Sequence, residues 1–345
     1  MINKKIRVFV TGAGSAVGQS IIKALSLSKL NLEVLTGDMS KLSAGLYMRQ
    51  GYIIPAVEKK RSLKWFIDFL NKKKINILLV GNEYELEFFG KYKKIIQKKT
   101  NTLVCVSDYE VIQTFNNKFF TVEFLKRNKF YYPKSYNIKN IKLTKNKVKL
   151  RYPFFLKDMH GTSSKSVFLI NSFHELIDKS KLLKDPIIQE NLGQKYNVYN
   201  FHNEYTCSLF YTREGEILGP FMSERILKHG TSWVVRSINN DQLKKNILKI
   251  GKKINAVGSI NFQIKKHKNK FYIFEINPRF SGTTSVRAFF GFNEPEMFIK
   301  SYFLKQKIRN CRYKIGMAFR YFEDIFVNNN NNVYRQQKGS IIKLR

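Results

Sequence analysis

Phe271-Tyr-Ile-Phe-Glu-Ile-Asn-Pro-Arg-Phe-Ser-Gly-Thr283 is the stretch that decides how this chain is read. It is an apolar, aromatic strand pattern that ends by displaying Glu275, Asn277 and Arg279. Side chains alternate faces along a strand, so these three point the same way. A carboxylate and an amide oxygen two residues apart make a compact oxygen pair for a hard cation such as Mg²⁺. Arg279 adds a permanent, forked positive charge beside that pair. A solvated edge strand would account for Glu275 and Asn277 alone. It does not account for the Pro278-Arg279 step or the Ser281-Gly282-Thr283 turn that follows. Cation and guanidinium on one strand face suit the handling of nucleotide phosphates and of an acyl phosphate.

Upstream, Tyr152-Pro-Phe-Phe-Leu-Lys157 ends a hydrophobic strand on a lysine, and Val167-Phe-Leu-Ile170 starts another. The loop between them is rich in small and polar residues, among them Gly161, Ser163 and Ser164. Such a lysine facing such a loop suits a polyphosphate: the amine supplies charge, while loop N–H and hydroxyl groups supply hydrogen bonds. A polar hairpin turn is the plainer alternative.

Before these motifs, residues 5 to about 112 alternate strand and helix patterns. The expected strands are Ile6–Thr11, 32–36, 75–80 and 103–107, with helices to about Leu27 and over 63–71 and 84–97. That alternation implies a parallel sheet with right-handed crossovers. Gly12-Ala-Gly-Ser-Ala-Val-Gly18 opens the first helix as a variant dinucleotide fingerprint, one residue longer than the usual spacing. Asp38 stands where an NAD enzyme would place its ribose carboxylate. Glu83 and Glu85 follow a strand's C-terminal end, where an open α/β sheet binds ligands; a dipole-stabilised helix start explains them equally. From about 113 the pattern changes. A helix capped by Asn116 or Asn117 runs to about Lys126. Strands follow at 153–157, 166–170, 186–190, 203–211, 216–221, 258–264 and 271–276. Helices are expected at 172–182, 240–254 and 293–304. The stretch 137–150 reads as a surface loop.

Composition sets outer bounds. The chain has 345 residues, enough for two or three packed units. Its 43% hydrophobic and 14% aromatic content excludes a disordered chain. No apolar run is long enough for a membrane span, and early glycines argue against a signal peptide. Cys105, Cys207 and Cys311 are odd in number and lack metal-site spacing, which fits reduced thiols in the cytoplasm. The net charge of +37 alone would suggest nucleic acid. The lysines, however, are scattered through every segment, and no recognition motif accompanies them. Nucleic acid is therefore not the expected partner.

Glu275-Ile-Asn-Pro-Arg-Phe-Ser-Gly282 resembles the metal-binding strand of the ATP-grasp superfamily, in particular the branch similar to the large subunit of carbamoyl-phosphate synthase. The resemblance runs from about residue 5 to about 305. It implies an α/β plus α+β architecture: a Rossmann-like parallel sheet over 1–112, then a two-lobed ATP-grasp unit over 113–305. The lobes would divide at about 185/186, with a C-terminal extension over 306–345.

The same resemblance implies roles. Lys118, in Asn117-Lys118, and Lys157 would hold ATP, with Gly161, Ser163 and Ser164 in the phosphate loop. Gln189, Glu190, Asn191 and Leu192 would form the adenine-holding hinge, and Glu204 would sit near ribose or metal. Glu275 and Asn277 would bind Mg²⁺, or Mn²⁺ in its place, with Asn261 and Gln263 as further ligands. Arg279, Arg225 and Lys228 would meet the transferred phosphoryl or acyl group, and His229 lies beside them. Serines where relatives carry glycines, at 163 and 166, depart from the family pattern. The implied activity is an ATP- and Mg²⁺-dependent carboxylate–amine or carboxylate–thiol ligase with an acyl-phosphate intermediate. Its partners would be small-molecule acids and amines, and a homodimer is allowed. Carbamoyl-phosphate synthesis itself needs two ATP-grasp halves, and this chain has one. A non-catalytic ATP-binding protein and an NAD-linked oxidoreductase are the alternatives.

Overall fold

A computed structural model describes residues 5–57, 60–139, 143–160, 166–193, 200–201, 203–228, 230–308 and 312–327. Three sheets organise the chain. The first contains β1 (Ile6–Thr11), β2 (Leu32–Asp38), β3 (Gln50–Ile53), β4 (Ile77–Val80) and β5 (Leu103–Cys105). Its order is β3-β2-β1-β4-β5, and all pairs are parallel. The apolar strand β4 is buried throughout, as an interior strand of a doubly covered sheet should be. The helices α1 (Ala16–Ser26), α2 (Lys60–Lys72) and α3 (Glu83–Thr100) supply the crossovers. Each start signal acts locally: the Ser15 hydroxyl accepts from Gly18 N, and the Asn82 side chain accepts from Tyr84 N. The order reverses between β1 and β4, so loops at their C-terminal ends diverge and leave a crevice.

Next come α4 (Tyr109–Asn116) and α5 (Lys118–Arg127). Asn117 ends one and caps the other, its Oδ1 accepting from Phe119 N and Phe120 N at 2.9 and 3.1 Å. A small antiparallel sheet follows, made of β6 (Ser135–Asn137), β7 (Phe154–Asp158), β8 (Val167–Ile170) and β9 (Pro186–Gln189) in the order β6-β9-β7-β8. One face packs on α6 (Phe173–Ser180), burying Phe154, Leu156, Ile170, Leu176 and Ile188.

The third sheet has six strands. They are β10 (Glu204–Tyr211), β11 (Ile217–Lys228), β12 (Thr231–Ser237), β13 (Gly258–His267), β14 (Lys270–Asn277) and β15 (Met317–Phe319). The order is β14-β13-β10-β11-β12-β15, and every pair is antiparallel. Alternation makes its two faces different. Tyr205, Cys207, Leu209 and Tyr211 of β10 pack with Ile260, Phe262 and Ile276 against Leu243, Ile247 and Ile250 of α7 (Asp241–Gly251). Each such side chain contributes on the order of 2 kcal/mol by leaving water. Glu204, Thr206 and Ser208 take the other face. Phe210 ends that face and joins a core with Val8 and Val10 of β1 and Ile21 and Leu25 of α1. The polar half of this face is thereby held beside the parallel sheet.

The structure adds elements to the expectations. Strand β3, helix α4 and strands β6, β12 and β15 are present. So is the short helix α8 (Thr284–Phe289). The expected helix at 293–304 is α9 (Glu294–Phe298), continuing as a wider turn over Ile299–Phe303. Strand β15 comes from beyond residue 305 and pairs with β12, so the extension completes the large sheet. Cys105 and Cys207 are buried free thiols, while Cys311 lies outside the described residues. Among the described residues no helix is long and apolar enough to cross a membrane.

Candidate functional site

Strand pairing brings the metal-strand residues together. Asn261 pairs with Asn277 and Gln263 with Glu275 across β13 and β14, so all four share one face. Asn277 Nδ2 and Gln263 Nε2 donate to Glu275 Oε1 at 2.8 and 3.1 Å. Gln263 Oε1 accepts from Arg225 Nη2 at 2.8 Å, and Arg225 Nε and Nη2 reach Glu204 Oε1 at 3.1 and 2.7 Å. A continuous polar chain therefore crosses the sheet from Glu204 to Asn277. Arg225 is buried within it and forms the middle link. Asn261 Oδ1 accepts from Thr206 Oγ1 at 2.7 Å, which fixes the amide below the chain.

The small sheet faces this chain. Lys157, partly exposed on β7, donates to Gln189 Oε1 at 2.7 Å. Gln189 Nε2 in turn donates to Ser135 Oγ at 3.0 Å. The Lys157 ammonium also lies 5.3 Å from the Phe155 ring centre and 5.6 Å from that of Phe274, which belongs to β14. It thus bridges the two sheets. Burial lowers its pKa to about 8, and the charge of Lys118 pushes the same way, while Glu275 and Glu204 pull it up. Charges from three other elements thus act on Lys157. Lys118 is held there by its own backbone, whose N–H donates to Met159 O at 3.0 Å. Asn117 Nδ2 lies 3.9 Å from Met159 Sδ.

Asp158 braces the entry to the phosphate loop. Its carboxylate accepts from His160 N at 3.0 Å, Lys184 N at 3.1 Å and Asp185 N at 3.2 Å. Gly161, Ser163, Ser164 and His229 lie outside the described residues. In the hinge, Glu190 turns its side chain to Lys134 N at 3.0 Å, and its backbone N–H donates to Lys134 O. Leu192 is buried and Asn191 half-buried.

Arg279 joins the third sheet to the first. Its Nη2 reaches Glu83 Oε2 at 2.5 Å, and Glu83 begins α3 just past β4. Among the described residues its buried Nε has no hydrogen-bond partner. Beside this pair lies the β1–α1 turn. Gly14 N donates to Asp38 Oδ2 at 2.8 Å, and a Cβ on Gly14 would sit 2.4 Å from Ser43 Oγ. The chain's own carboxylate therefore occupies the N–H that the fingerprint would offer to an anion. Gly12 has φ +58, a left-handed turn that favours glycine. Glu85 is buried nearby; burial raises its pKa to about 7, with the Asp38 charge adding.

Sequence reading missed the support beneath Arg279. Arg287 and Glu294 are fully buried, with Nε and Oε2 2.6 Å apart. Arg287 also donates to Ser281 Oγ, Thr283 Oγ1 and Thr284 Oγ1 at 2.9, 2.7 and 2.9 Å. Glu294 Oε1 accepts from Ser208 Oγ at 2.5 Å and Ser259 Oγ at 2.6 Å. The Ser-Gly-Thr turn is thus pinned to the floor of the sheet. Lone serines inside the apolar runs of β10 and β13 were the available signal.

The expected metal ligands present oxygen donors of the type a hard cation takes. Among the described residues no group of three His, Cys, Asp or Glu could hold a metal. Mg²⁺ does not need one, since one or two carboxylates plus substrate phosphates commonly suffice. Glu275 beside Asn277 meets that requirement, with the amide oxygen reached by turning the Asn277 side chain over.

Known structures match this arrangement over nearly its whole length. N5-Carboxyaminoimidazole synthetase from Staphylococcus aureus, complexed with ADP, superposes with a TM-score of 0.71 at 17% identity, over 93% of this chain and 84% of that one. This chain has the ATP-grasp fold. The biotin carboxylase domain dimer of Hydrogenobacter thermophilus 2-oxoglutarate carboxylase, in complex with MgADP, ADP and bicarbonate, gives 0.70 at 13% identity over 90% and 73%. Carboxyaminoimidazole ribonucleotide synthase from Aspergillus clavatus, complexed with ATP, gives 0.67 at 15% over 90% and 79%. A family model described as "ATP-grasp in the biosynthetic pathway with Ter operon" matches residues 225–325. That span runs from Arg225 through β14 and the Arg287–Glu294 pair to the C-terminal segment. No curated protein matches significantly in sequence.

Proposed function

We propose that this protein is an ATP- and Mg²⁺-dependent ligase that activates a small-molecule carboxylate as an acyl phosphate and joins it to an amine, or to a thiol. The observation that carries the reading is the polar chain Glu204–Arg225–Gln263–Glu275–Asn277 on one face of the large sheet, with Lys157 of the small sheet 5.6 Å from the Phe274 ring of β14. Lys157 and Lys118 hold the phosphates of ATP. The hinge from Gln189 to Leu192 holds the base, and Gly161, Ser163 and Ser164, outside the described residues, are assigned to the phosphates. Glu275 and Asn277 hold Mg²⁺, with Gln263 and Asn261 behind them; Mn²⁺ fits the same donors. When bound, the ion neutralises charge on the terminal phosphates.

The substrate carboxylate attacks the γ-phosphorus, and the bond to the β–γ bridging oxygen breaks, leaving ADP. The amine then attacks the acyl carbon, loses a proton and expels phosphate. Arg279 stands at the end of the metal strand, where a fixed cation stabilises charge on the transferring group. Its partner Glu83 places the β1/β4 crevice next to the reacting carboxylate, so the acceptor enters from that side. Arg225 acts by positioning Glu204 and Gln263, and Lys228 lies at the tip of the β11–β12 hairpin. We assign 1–112 to the acceptor-side unit, 113–305 to the ATP-grasp unit with lobes meeting near 185, and 306–345 to an extension that lends it β15. The cytoplasm, where ATP is plentiful, is the proposed compartment, and a homodimer the proposed assembly.

The test is a screen of acid and amine pairs with ATP and Mg²⁺, with products separated by chromatography. ADP and phosphate should form together, and hydroxylamine should trap a hydroxamate when the right acid is present. AMP appearing in step with product would exclude the acyl-phosphate route.

A further inference from the structure

A cavity borders α1 and the C-terminal segment, whose Arg320 bonds Gly282 O in the turn after the metal strand. It is an open hollow lined by α1, α8, β12, β15 and the C-terminal segment after it, with a volume of about 620 Å³. That is within the roughly 300–1,000 Å³ range of small-molecule sites. Lys157, Gln189, Glu204 and Glu275 take no part in its lining.

Its chemistry is uneven. Three cations line it, Lys23 from α1, Lys228 from the β11–β12 hairpin and Arg320 from the C-terminal segment, against one carboxylate, Glu323. Among the described residues none of the three cations makes an ion pair with an acid of this chain. Arg320 is half-buried; Nη2 donates to Gly282 O at 2.7 Å, and burial lowers its pKa. A guanidinium drawn out of water without a counter-charge is costly, and an incoming anion removes that cost. Between the cations stands Trp233. The Lys228 ammonium lies 4.9 Å from its ring centre, and the Phe322 ring packs at 5.4 Å. Indole and phenyl faces offer a flat, apolar wall.

We propose that this cavity is a binding site for a small anion with a flat apolar body, its carboxylate, sulfonate or phosphate held by Lys23 and Arg320 and its ring laid against Trp233. The site shares Lys228 with the residues expected to meet the reacting group, and the two cations that hold the anion, Lys23 and Arg320, have no part in the ligase reading. The C-terminal segment is then a working wall of the protein, supplying Arg320 and Phe322.

The full-length protein is titrated with 8-anilinonaphthalene-1-sulfonate, an anion with a flat body. Its uncharged counterpart N-phenyl-1-naphthylamine is the control. Trp65→Phe leaves Trp233 as the single indole, so energy transfer reports on the cavity; calorimetry gives the same constants without that change. One saturable site is expected. Lys23→Glu and Arg320→Gln should each weaken it by about tenfold or more, as should loss of the sulfonate. Lys157→Met and saturating ATP should leave it unchanged. Lys23 is exposed, so Lys23→Glu decides the matter if Arg320→Gln does not fold. Equal affinity in Lys23→Glu, equal affinity for the uncharged probe, or displacement by ATP would each overturn the proposal. Failure of ATP to bind in the same calorimeter would instead count against the nucleotide site alone.

Discussion

Lys157→Met should make the protein more stable while removing its nucleotide affinity. The Lys157 ammonium has an ordinary pKa of 10.5, brought to about 8 here chiefly by burial. At about 1.4 kcal/mol per pH unit, holding that charge in the cleft costs on the order of 3 kcal/mol below pH 8. Methionine fills similar space without the charge. It leaves Gln189 Oε1 without its 2.7 Å donor, which costs about 1 kcal/mol. The net gain is about 2 kcal/mol, or about 2–4 °C in Tm. The pH dependence gives the sharper check. The folded pKa lies below the unfolded one, so between pH 8 and 10.5 the unfolded chain binds more protons, and wild-type stability rises with pH. The advantage of the variant is therefore full at pH 7 and about 2 kcal/mol smaller at pH 9.5. Thermal unfolding without nucleotide, across pH 6–10, measures it. Calorimetry with ATP should show affinity falling about a hundredfold or more. A variant less stable than wild type at pH 7, or with an advantage that does not shrink by pH 9.5, would refute the reasoning.

Other outcomes follow from the same geometry. Glu275→Gln keeps the shape of the metal strand but removes its charge; turnover should fall by about two orders of magnitude while Tm moves by about 1 °C. Unchanged activity and Mg²⁺ dependence would remove Glu275 from the site. Glu294→Ala strands Arg287 in the core and should cost about 3–5 kcal/mol, read as a lower denaturation midpoint; a neutral result would mean water replaces the carboxylate. Glu85 has a folded pKa of about 7 against an ordinary 4.5, so its contribution to stability is lost as pH rises through that window. Glu85→Gln should therefore match wild type at pH 4 and exceed it by on the order of 3 kcal/mol above pH 7, measured by urea unfolding at both pH values.

Local periodicity determined much of this protein. The alternation in Phe271–Asn277 put Glu275 and Asn277 on one face, and the pair Asn116-Asn117 announced a helix start, because both are set by neighbours in sequence. Lys157, Gln189 and Glu204 were legible as strand residues because apolar runs surround them. Their partners were not legible. That Arg225 would be tied to Glu204, that Arg279 would reach Glu83, and that Arg287 and Glu294 would share a core depends on which strands pair and in what register. Strands β6 and β15 are three residues long and carry no period of their own; they form only because another strand offers its edge. The same holds for the pKa of Lys157. The residues before it, Phe154 to Leu156, are apolar, but its burial and the charges of Lys118, Glu275 and Glu204 come from other elements. Side-chain direction is a local property of the backbone, whereas burial and electrostatic field are sums over everything that folding brings near, and only the tertiary structure decides those.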